Sequence, residues 1–232
     1  MLKTIGFLHA HHSNAGFFEA AASGPVRFLH FAEPGIAERL ANDPAFDSRH
    51  ARAKLSELIH WIADCGADAL LVTCTEYCAL LPDSDFFRIP VLRLDELFFE
   101  SLHAAGRPVH LLFTNPGTVE PTMAALRRWN ADRNLEPDVA CSLIPDAFKL
   151  LMNGERDAYL ERLAEGIRTA SAELPGDDKS RGTRILAVAQ LSMSGAGQAF
   201  EQESGIPVLD PLQAALDALL AAPHPEGEGE SR

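Results

Sequence analysis

The stretch Ala69-Leu-Leu-Val-Thr-Cys-Thr75 constrains the fold of this chain more than any other. Its unbroken apolar run ends abruptly in small polar residues, which is typical of a buried parallel strand that opens at its carboxyl end. Ligands bind at that end of open α/β sheets. Cys74, a thiol between the hydroxyls of Thr73 and Thr75, is therefore the best candidate for a reacting group. The alternative is a free cysteine that is buried as a small hydrophobic residue.

Apolar runs that end in short polar segments recur along the chain. These segments are residues 9–16, 73–75, 114–118 and 190–194. In addition, Arg-Ile-Pro-Val-Leu-Arg at 88–93 is echoed by Gly-Ile-Pro-Val-Leu-Asp at 205–210. The alternation of strands and helices, with paired loops, predicts two α/β lobes that face each other across a cleft.

Several local patterns predict individual elements. A helical period over residues 47–65 ends at Gly66, which can take the left-handed conformation found at helix C-caps. A short strand at 26–31 is followed by a Pro-Gly loop, and a further helix is predicted at 198–204. These patterns support the alternating arrangement.

Charge and cysteine usage exclude several classes of partner. The 232 residues carry a formal net charge of −13 and have no block of Lys and Arg, which argues against nucleic acid and anionic membrane. An anion must therefore be held by backbone N–H groups, hydroxyls or an isolated cation. No secretory signal or membrane-spanning run is recognised, so a cytoplasmic location is expected. The four cysteines lack disulfide or zinc spacing, and free thiols are expected.

Three blocks together carry a resemblance to a known family. They are Gly66-Ala-Asp-Ala-Leu-Leu-Val-Thr-Cys-Thr75, Leu111-Leu-Phe-Thr114 and Ala187-Val-Ala-Gln-Leu-Ser-Met193, joined by the repeated Ile-Pro-Val-Leu turns. In the order and spacing of these blocks the chain resembles the aspartate/glutamate racemase superfamily, which includes amino-acid, hydantoin and maleate-type isomerases and a decarboxylase of aryl malonates. The resemblance implies one cysteine on each lobe, flanking the α-carbon of the substrate. Cys74 falls at the first of these positions.

The chain departs from this pattern at the second position. Gln190-Leu-Ser-Met-Ser194 carries no cysteine, so the sequence looks closer to a branch that lacks the second catalytic thiol. Ser192 and Gln190 would then occupy the face opposite Cys74. Because a neutral Ser or Gln is a poor proton donor, a one-sided reaction is favoured over two-base racemisation. Decarboxylation, thiol-mediated cis–trans isomerisation and an acid/base pair completed by His9 or His11 all remain open.

The chemistry expected at Cys74 is removal of a proton from the carbon next to a carboxylate. Such a reaction needs a base and hydrogen-bond donors that stabilise an enediolate. A thiolate can serve if N–H groups and a helix N-terminus lower its pKa, which is the setting predicted for Cys74. The residues expected to hold the substrate's carboxylates are Thr73 and Thr75 on one side and Ser13, Asn14, Thr114 and Asn115 on the other.

Other polar residues have two readings each. His9, His11 and His12 are potential metal ligands, but solvated loop histidines are the favoured interpretation. Tyr77 either shapes the pocket or packs in the core, and Cys78 is either a second thiol or, more in keeping with its helix, a buried residue. Asp210 either turns toward the cleft or caps the helix after it.

These observations lead to one combined prediction. The fold is α/β, with two similar lobes that contain parallel four-stranded sheets related by a pseudo-twofold axis. Lobe 1 is assigned to residues 1–95 plus 206–221, lobe 2 to 96–205, and 222–232 to a disordered tail. The predicted function is a cofactor-independent isomerase or racemase of a small carboxylate, with Cys74 as the acid/base thiol, no cofactor and no metal. The alternatives are a carbon–carbon lyase with the same thiol and a non-catalytic small-anion binding protein; a homodimer is left open.

Overall fold

The structure, a computed structural model, describes residues 3–21, 26–81, 87–174 and 184–221. These residues form two four-stranded sheets in which all neighbouring strands are parallel, with helices between successive strands. The predicted α/β fold with two parallel four-stranded sheets is confirmed. The predicted tail, 222–232, lies outside the described residues.

The first sheet aligns the ends of two strands that carry predicted site residues. Its strands, in spatial order, are β2 (Val26–Ala32), β1 (Lys3–His9), β3 (Ala69–Val72) and β4 (Val91–Arg93). Leu8 of β1 pairs with Val72 of β3. The residues that follow this pair, His9 and Thr73, therefore meet at the carboxyl edge of the sheet.

The helices of the first sheet bury apolar faces against it. They are α1 (Ala15–Ala21), α2 (Gly35–Asn42), α3 (Ser48–Asp64) and α4 (Thr75–Leu80). Asp47 caps α3, and Gly66, with φ +86°, follows its last turn, as the sequence predicts. A Cβ on Gly6 would lie 2.6 Å from Cγ2 of Ile62, so glycine in β1 allows α3 to approach the sheet closely.

Helix α2 differs from the sequence prediction. A Pro-Gly loop was expected after β2, but the chain enters a helix directly after Pro34. Proline is compatible with this position because the first residues of a helix need no intrahelical N–H partner. Ile36 is buried in the core of the first sheet, and this tertiary contact fixes a helix that local turn signals disfavour.

The second sheet repeats the topology of the first. Its strands, in spatial order, are β6 (Val139–Leu143), β5 (Val109–Phe113), β7 (Ile185–Val188) and β8 (Val208–Leu209). The remaining helices are α5 (Leu94–Ala104), α6 (Pro116–Ala131), α7 (Ala147–Met152), α8 (Arg156–Glu173), α9 (Leu191–Ser204) and α10 (Pro211–Ala221). Apolar clusters cover the two faces of this sheet. Leu112 pairs with Val188, which brings the ends of β5 and β7 together.

Helix α9 begins at Leu191 rather than at the predicted residue 198. The sequence prediction treated residues 190–194 as a polar segment after the strand and assigned a helix only to 198–204. A Cβ on Gly197 would lie 3.2 Å from Cγ1 of Val208 and 3.5 Å from Cγ2 of Val188. Glycine at this position therefore allows α9 to pack closely on β7 and β8. From the sequence alone, such a glycine is easily taken as the sign of a turn.

The described residues divide into two compact units. Those up to Asp95, together with those from Asp217, form one unit, and Glu96–Leu216 forms the other. The predicted assignment of 206–221 to the first lobe differs from this division, because β8 pairs with β7 through Leu186 and Val208. Within the described ranges, no helix has the length and apolarity needed to cross a bilayer.

Candidate active-site residues

Cys74 lies where β3 ends and α4 begins. It is the N-cap residue of α4, with an extended backbone, and its partly exposed side chain contacts the core of the first unit. The nearby backbone N–H groups of Glu76 and Tyr77 favour the thiolate, although the Cys74 sulfur forms no capping hydrogen bond. The strand-to-helix setting predicted for Cys74 is therefore present.

The expected direction of the Cys74 pKa shift is wrong. Burial raises the pKa of the Cys74 thiol, and the two N–H groups offset this only in part. The carboxylates of Glu76 and Asp95 raise the pKa further. Helix α4 has only six residues, so few peptide dipoles oppose the cost of burying a charge. Cys74 is a neutral thiol in this structure.

Thr75 directs its hydroxyl toward an acidic neighbour. Its Oγ1 donates to Oδ1 of Asp95 at 3.2 Å. The hydroxyl proton is thus engaged within the first unit, and the Thr75 oxygen is left as an acceptor. Thr75 was expected to donate to a carboxylate of the substrate, and in this structure that donor is already in use.

Tyr77 and Cys78 follow the packing interpretations. Tyr77 is fully buried, its hydroxyl donates to the carbonyl of Glu33, and the backbone N–H of Ala37 donates to it at 3.3 Å. Burial raises the pKa of Tyr77 to about 12. Cys78 is buried and donates to the carbonyl of Val72 at 3.4 Å, and burial raises the pKa of this thiol strongly. Cys78 thus ties α4 to β3, and Tyr77 ties it to the segment after β2 and to α2.

His9 is buried at the carboxyl edge of the first sheet. Its Nδ1 atom lies 2.8 Å from Oγ1 of Thr73, and its Nε2 atom lies 2.9 Å from Nδ1 of His30. Burial, followed by the nearby His30, lowers the pKa of His9 to about 4, so the ring is neutral near neutral pH. With both ring nitrogens engaged in the protein, His9 makes no direct contact with solvent.

The sequence analysis did not identify His30 or Glu19. His30 follows Leu29 in β2, and its Nε2 atom lies 3.1 Å from Oε1 of Glu19 on α1. One signal was available, because His30 interrupts the apolar run Phe-Leu-His-Phe-Ala at 28–32. The pairing itself is visible only once β1, β2 and α1 are placed together.

The loop after β1 holds its polar side chains close to its own backbone. Nδ1 of His11 lies 2.7 Å from Oγ of Ser13 and accepts from the Ser13 backbone N–H at 3.2 Å. His11 and Ser13 are exposed, and Asn14 is partly exposed at the end of a single 3₁₀ turn. The structure places Ser13 and Asn14 beside His11, one of the two histidines considered as an acid or base.

A second polar cluster lies at the carboxyl ends of β5 and β7. Oε1 of Gln190 accepts from the backbone N–H of Thr114 at 2.9 Å, from the Thr114 hydroxyl at 2.8 Å and from the Asn115 N–H at 3.2 Å. The structure therefore brings together three residues that the sequence analysis selected. It also shows that the Gln190 carbonyl oxygen is fully used in joining the two strand ends.

Ser192 lies in the first turn of α9 and contacts Tyr159 of α8. The Tyr159 hydroxyl donates to Oγ of Ser192 at 3.0 Å. Tyr159 is almost fully buried, and burial raises the pKa of its hydroxyl. The contact between Tyr159 and Ser192 was not predicted from the sequence, because helical periodicity does not reveal which group a phenol hydroxyl contacts on a neighbouring helix.

Asp210 caps a helix. Its Oδ1 accepts from the backbone N–H groups of Leu212 and Gln213 at 2.8 and 2.9 Å, and its Oδ2 accepts from Gln198 at 3.4 Å. Of the two readings of Asp210, the structure supports the helix cap.

The described residues contain no group of three or more His, Cys, Asp and Glu side chains placed to hold a metal ion. His11 and His12 lie next to each other with ring centroids 4.3 Å apart, and both are exposed. The solvated-loop interpretation therefore fits these two histidines, whereas His9 is buried away from them.

A cavity of about 260 Å³ lies elsewhere in the second unit. It is lined by residues around the amino end of β5, among them His103, Pro108, Val109 and Asp138. Since Thr114 follows the opposite end of that strand, none of the selected site residues lines this cavity.

Solved structures with the same fold include several racemases. The aspartate racemase of Picrophilus torridus is 17% identical over 94% of this chain and 93% of that chain, with a TM-score of 0.65. Allantoin racemase from Klebsiella pneumoniae is 17% identical over 94% and 86%, with a TM-score of 0.62. Glutamate racemase from Thermus thermophilus, in complex with β-chloro-D-alanine, is 18% identical over 97% and 84%, with a TM-score of 0.58.

These likenesses establish the fold. No family model matches the chain, and no curated protein matches it either. At identities this low, activity and substrate do not follow from the shared architecture. The resemblance of the sequence to the aspartate/glutamate racemase superfamily is thus supported at the level of the fold, which is that of aspartate, allantoin and glutamate racemases.

Proposed function

We propose that this protein is a cofactor-independent isomerase that acts on a small carboxylate, with Cys74 as its acid/base thiol. The reaction exchanges a proton at the carbon next to the carboxylate. The observation that carries the proposal is the placement of Cys74, a partly exposed thiol at the carboxyl end of a parallel strand and at the start of α4, where the backbone N–H groups of Glu76 and Tyr77 favour its thiolate. In α/β folds this edge of the sheet is where substrates bind.

The protonation state of Cys74 determines whether this residue first donates or first removes a proton. Since burial raises the pKa of Cys74, the resting protein holds a thiol and not a thiolate. A thiol is ready to give a proton to a carbanion, whereas removal of a proton first requires ionisation. The N–H groups of Glu76 and Tyr77 then stabilise the thiolate that remains after the proton is given.

This same feature favours a second candidate, a carbon–carbon lyase. In decarboxylation, loss of CO₂ leaves an enediolate that needs one proton on one face, and a neutral thiol supplies it. The absence of a cysteine from residues 190–194 agrees with protonation from a single face. The two candidates share Cys74 and differ in whether a C–H or a C–C bond is broken.

Solvent exchange tests the proposal. The protein is incubated in deuterated water with a panel of amino acids, hydantoins and dicarboxylates, and loss of the α-hydrogen signal is followed by NMR. Disubstituted malonates are assayed in parallel for CO₂ release. We expect exchange with at least one panel member, and we expect Cys74→Ala to reduce its rate by ~10²-fold or more, since that is the usual contribution of a positioned acid or base.

Cys141→Ser provides a matched control, because Cys141 is an exposed thiol on β6, outside both polar clusters. It should exchange at the wild-type rate. CO₂ release without exchange would replace the isomerase by the lyase. Exchange that survives in Cys74→Ala would contradict the role of the thiol in either reaction, and no turnover of any compound, with a panel member still bound, would indicate a non-catalytic binding protein.

A further inference from the structure

Three close contacts link the exposed Glu19 side chain to the buried Thr73 hydroxyl. Oε1 of Glu19 lies 3.1 Å from Nε2 of His30, Nδ1 of His30 lies 2.9 Å from Nε2 of His9, and Nδ1 of His9 lies 2.8 Å from Oγ1 of Thr73. The four side chains come from α1, β2, β1 and the end of β3. This relay ends one residue before Cys74.

The Glu19 end sets the direction of the relay. A carboxylate only accepts hydrogen bonds, so the Nε2 atom of His30 that faces it carries a proton. The Nε2 atom of His30 makes no hydrogen bond of acceptable geometry to Glu19, so this link is electrostatic: at 3.1 Å from a carboxylate an N–H group is attracted, whereas a bare nitrogen lone pair would be repelled. Burial lowers the pKa of His30, with Glu19 opposing, so a neutral ring leaves its Nδ1 as an acceptor.

The hydrogen-bond directions at His9 and Thr73 follow from the tautomer of His30. Nδ1 of His30 accepts from Nε2–H of His9, and since a neutral imidazole has one N–H, Nδ1 of His9 is also an acceptor. The only proton left for the 2.8 Å contact belongs to the Thr73 hydroxyl. The alternative acceptor, the carbonyl of Leu8, lies farther away at 3.3 Å and already receives the Thr73 backbone N–H at 3.1 Å.

We propose that Glu19 and His30 are positioning residues for Thr73, and that through His9 they direct the Thr73 hydroxyl proton into the sheet. The Thr73 oxygen then has only acceptor capacity left for any further partner. This inference rests on the proposed function only in treating Thr73 as part of the site, and it refines the expected role of that residue. A group that meets Thr73 must donate a hydrogen bond, so a carboxylate of the substrate is held by other groups.

The arrangement has a sharp test, because Glu19 can be replaced by a side chain that only donates. Glu19 is exposed on α1, and Glu19→Lys presents an ammonium group to the same His30 nitrogen. His30 then accepts at Nε2 and donates at Nδ1, and the direction reverses down to Thr73. Lysine also suits a helix, so the variant should fold.

The tautomers are read by ¹⁵N NMR on histidine-labelled protein at a pH above 7, with signals assigned from single His→Gln variants. In the wild type we expect His9 and His30 to carry their protons on Nε2. In Glu19→Lys we expect the His9 population to move to the Nδ1–H form. A wild-type His9 protonated on Nδ1, or a His9 tautomer that Glu19→Lys leaves unchanged, would overturn the proposal.

Two controls separate the relay from general effects. Glu38→Lys makes the same charge change on exposed α2 and should leave His9 unaltered. His110, whose Nε2 lies 2.8 Å from Oγ of Ser142 in the second unit, should keep its tautomer in every variant. The NMR spectra are recorded without substrate, so the tautomer test and the solvent-exchange assay have independent outcomes. The proposed relay can be contradicted while the proposed function is supported, or the proposed function contradicted while the relay is supported.

Discussion

Lowering the pH should destabilise this protein specifically through His9. The folded protein holds the pKa of His9 at about 4, against an ordinary value of 6.5, chiefly because burial disfavours the imidazolium. The unfolded chain therefore binds a proton first as the pH falls. The stability contributed by neutral His9 is complete above pH 6.5 and is lost progressively down to about pH 4.

The magnitude follows from that pKa difference. At ~1.4 kcal/mol for each tenfold change in proton affinity, a drop from 6.5 to about 4 corresponds to a loss of about 3 kcal/mol in the free energy of unfolding. This is a large share of the ~5–15 kcal/mol that holds a typical domain together. His9 is fully buried, so solvent screening does not reduce the figure.

Urea denaturation followed by circular dichroism measures the effect. Unfolding free energies of the wild type and of His9→Gln are compared at pH 7.5 and pH 4, so that the titration of carboxylates, common to both, cancels. The wild type should lose about 3 kcal/mol more than the variant over this range. His60→Gln, which removes an exposed histidine of α3, should follow the wild type. Equal pH dependence in the wild type and His9→Gln would refute the reasoning.

Three further outcomes are expected. Gly6→Ala should lower the urea midpoint by an amount equivalent to ~1–3 kcal/mol, since the new Cβ meets Ile62 at 2.6 Å; an unchanged midpoint would mean that α3 shifts freely. Gln190→Ala should cost ~1–3 kcal/mol in the same assay by leaving N–H groups unpaired, and Gln190→Glu, which keeps an acceptor, should cost less. Alkylation of Cys74, read by peptide mass spectrometry, should reach its plateau only above the range of an ordinary thiol, ~8.5, and a lower midpoint would show that N–H groups outweigh burial.

The main elements of the fold were predictable because the sequences of buried parallel strands are continuous apolar runs. Ala69–Val72 and Ile185–Val188 are such runs, both are fully buried, and both end at polar residues that the sequence analysis selected. Helix α2 was missed because its stability comes from burial of Ile36, which outweighs the local turn signal of Pro34 and Gly35. The helical conformation of α2 thus depends on a tertiary contact, and a short stretch of sequence does not show which residues make that contact.

The site was predictable only in part, for a related reason. Strand ends and polar residues are visible in the sequence, so Cys74, Thr73 and Gln190 could be selected. Partners that arrive from other elements could not be, since Tyr159 meets Ser192 across two helices and His30 meets His9 across two strands. The direction of the Cys74 pKa shift was missed because it depends on how deeply the sulfur is buried.

The two strand-end clusters differ in whether they contain a thiol or an imidazole. The first unit contains the Cys74 thiol and the His9–His30 pair. In the second cluster, Thr114, Gln190 and Ser192 are hydroxyl or amide groups that do not titrate, and burial raises the pKa of Tyr159. The Ser192 hydroxyl can donate or accept a hydrogen bond, but it cannot replace a thiol as an acid or base.

This chemical difference predicts unequal effects of two substitutions on turnover. Cys74→Ala should abolish turnover, whereas Ser192→Ala should leave a measurable rate, because the loss of one neutral hydrogen bond costs roughly 0.5–1.5 kcal/mol, which lowers a rate by about twofold to tenfold. The measurement is the rate of solvent deuterium incorporation into the substrate identified in the panel. Equal loss in both variants would mean that Ser192, with Tyr159 behind it, carries the proton itself, and the second cluster would then be a full catalytic partner.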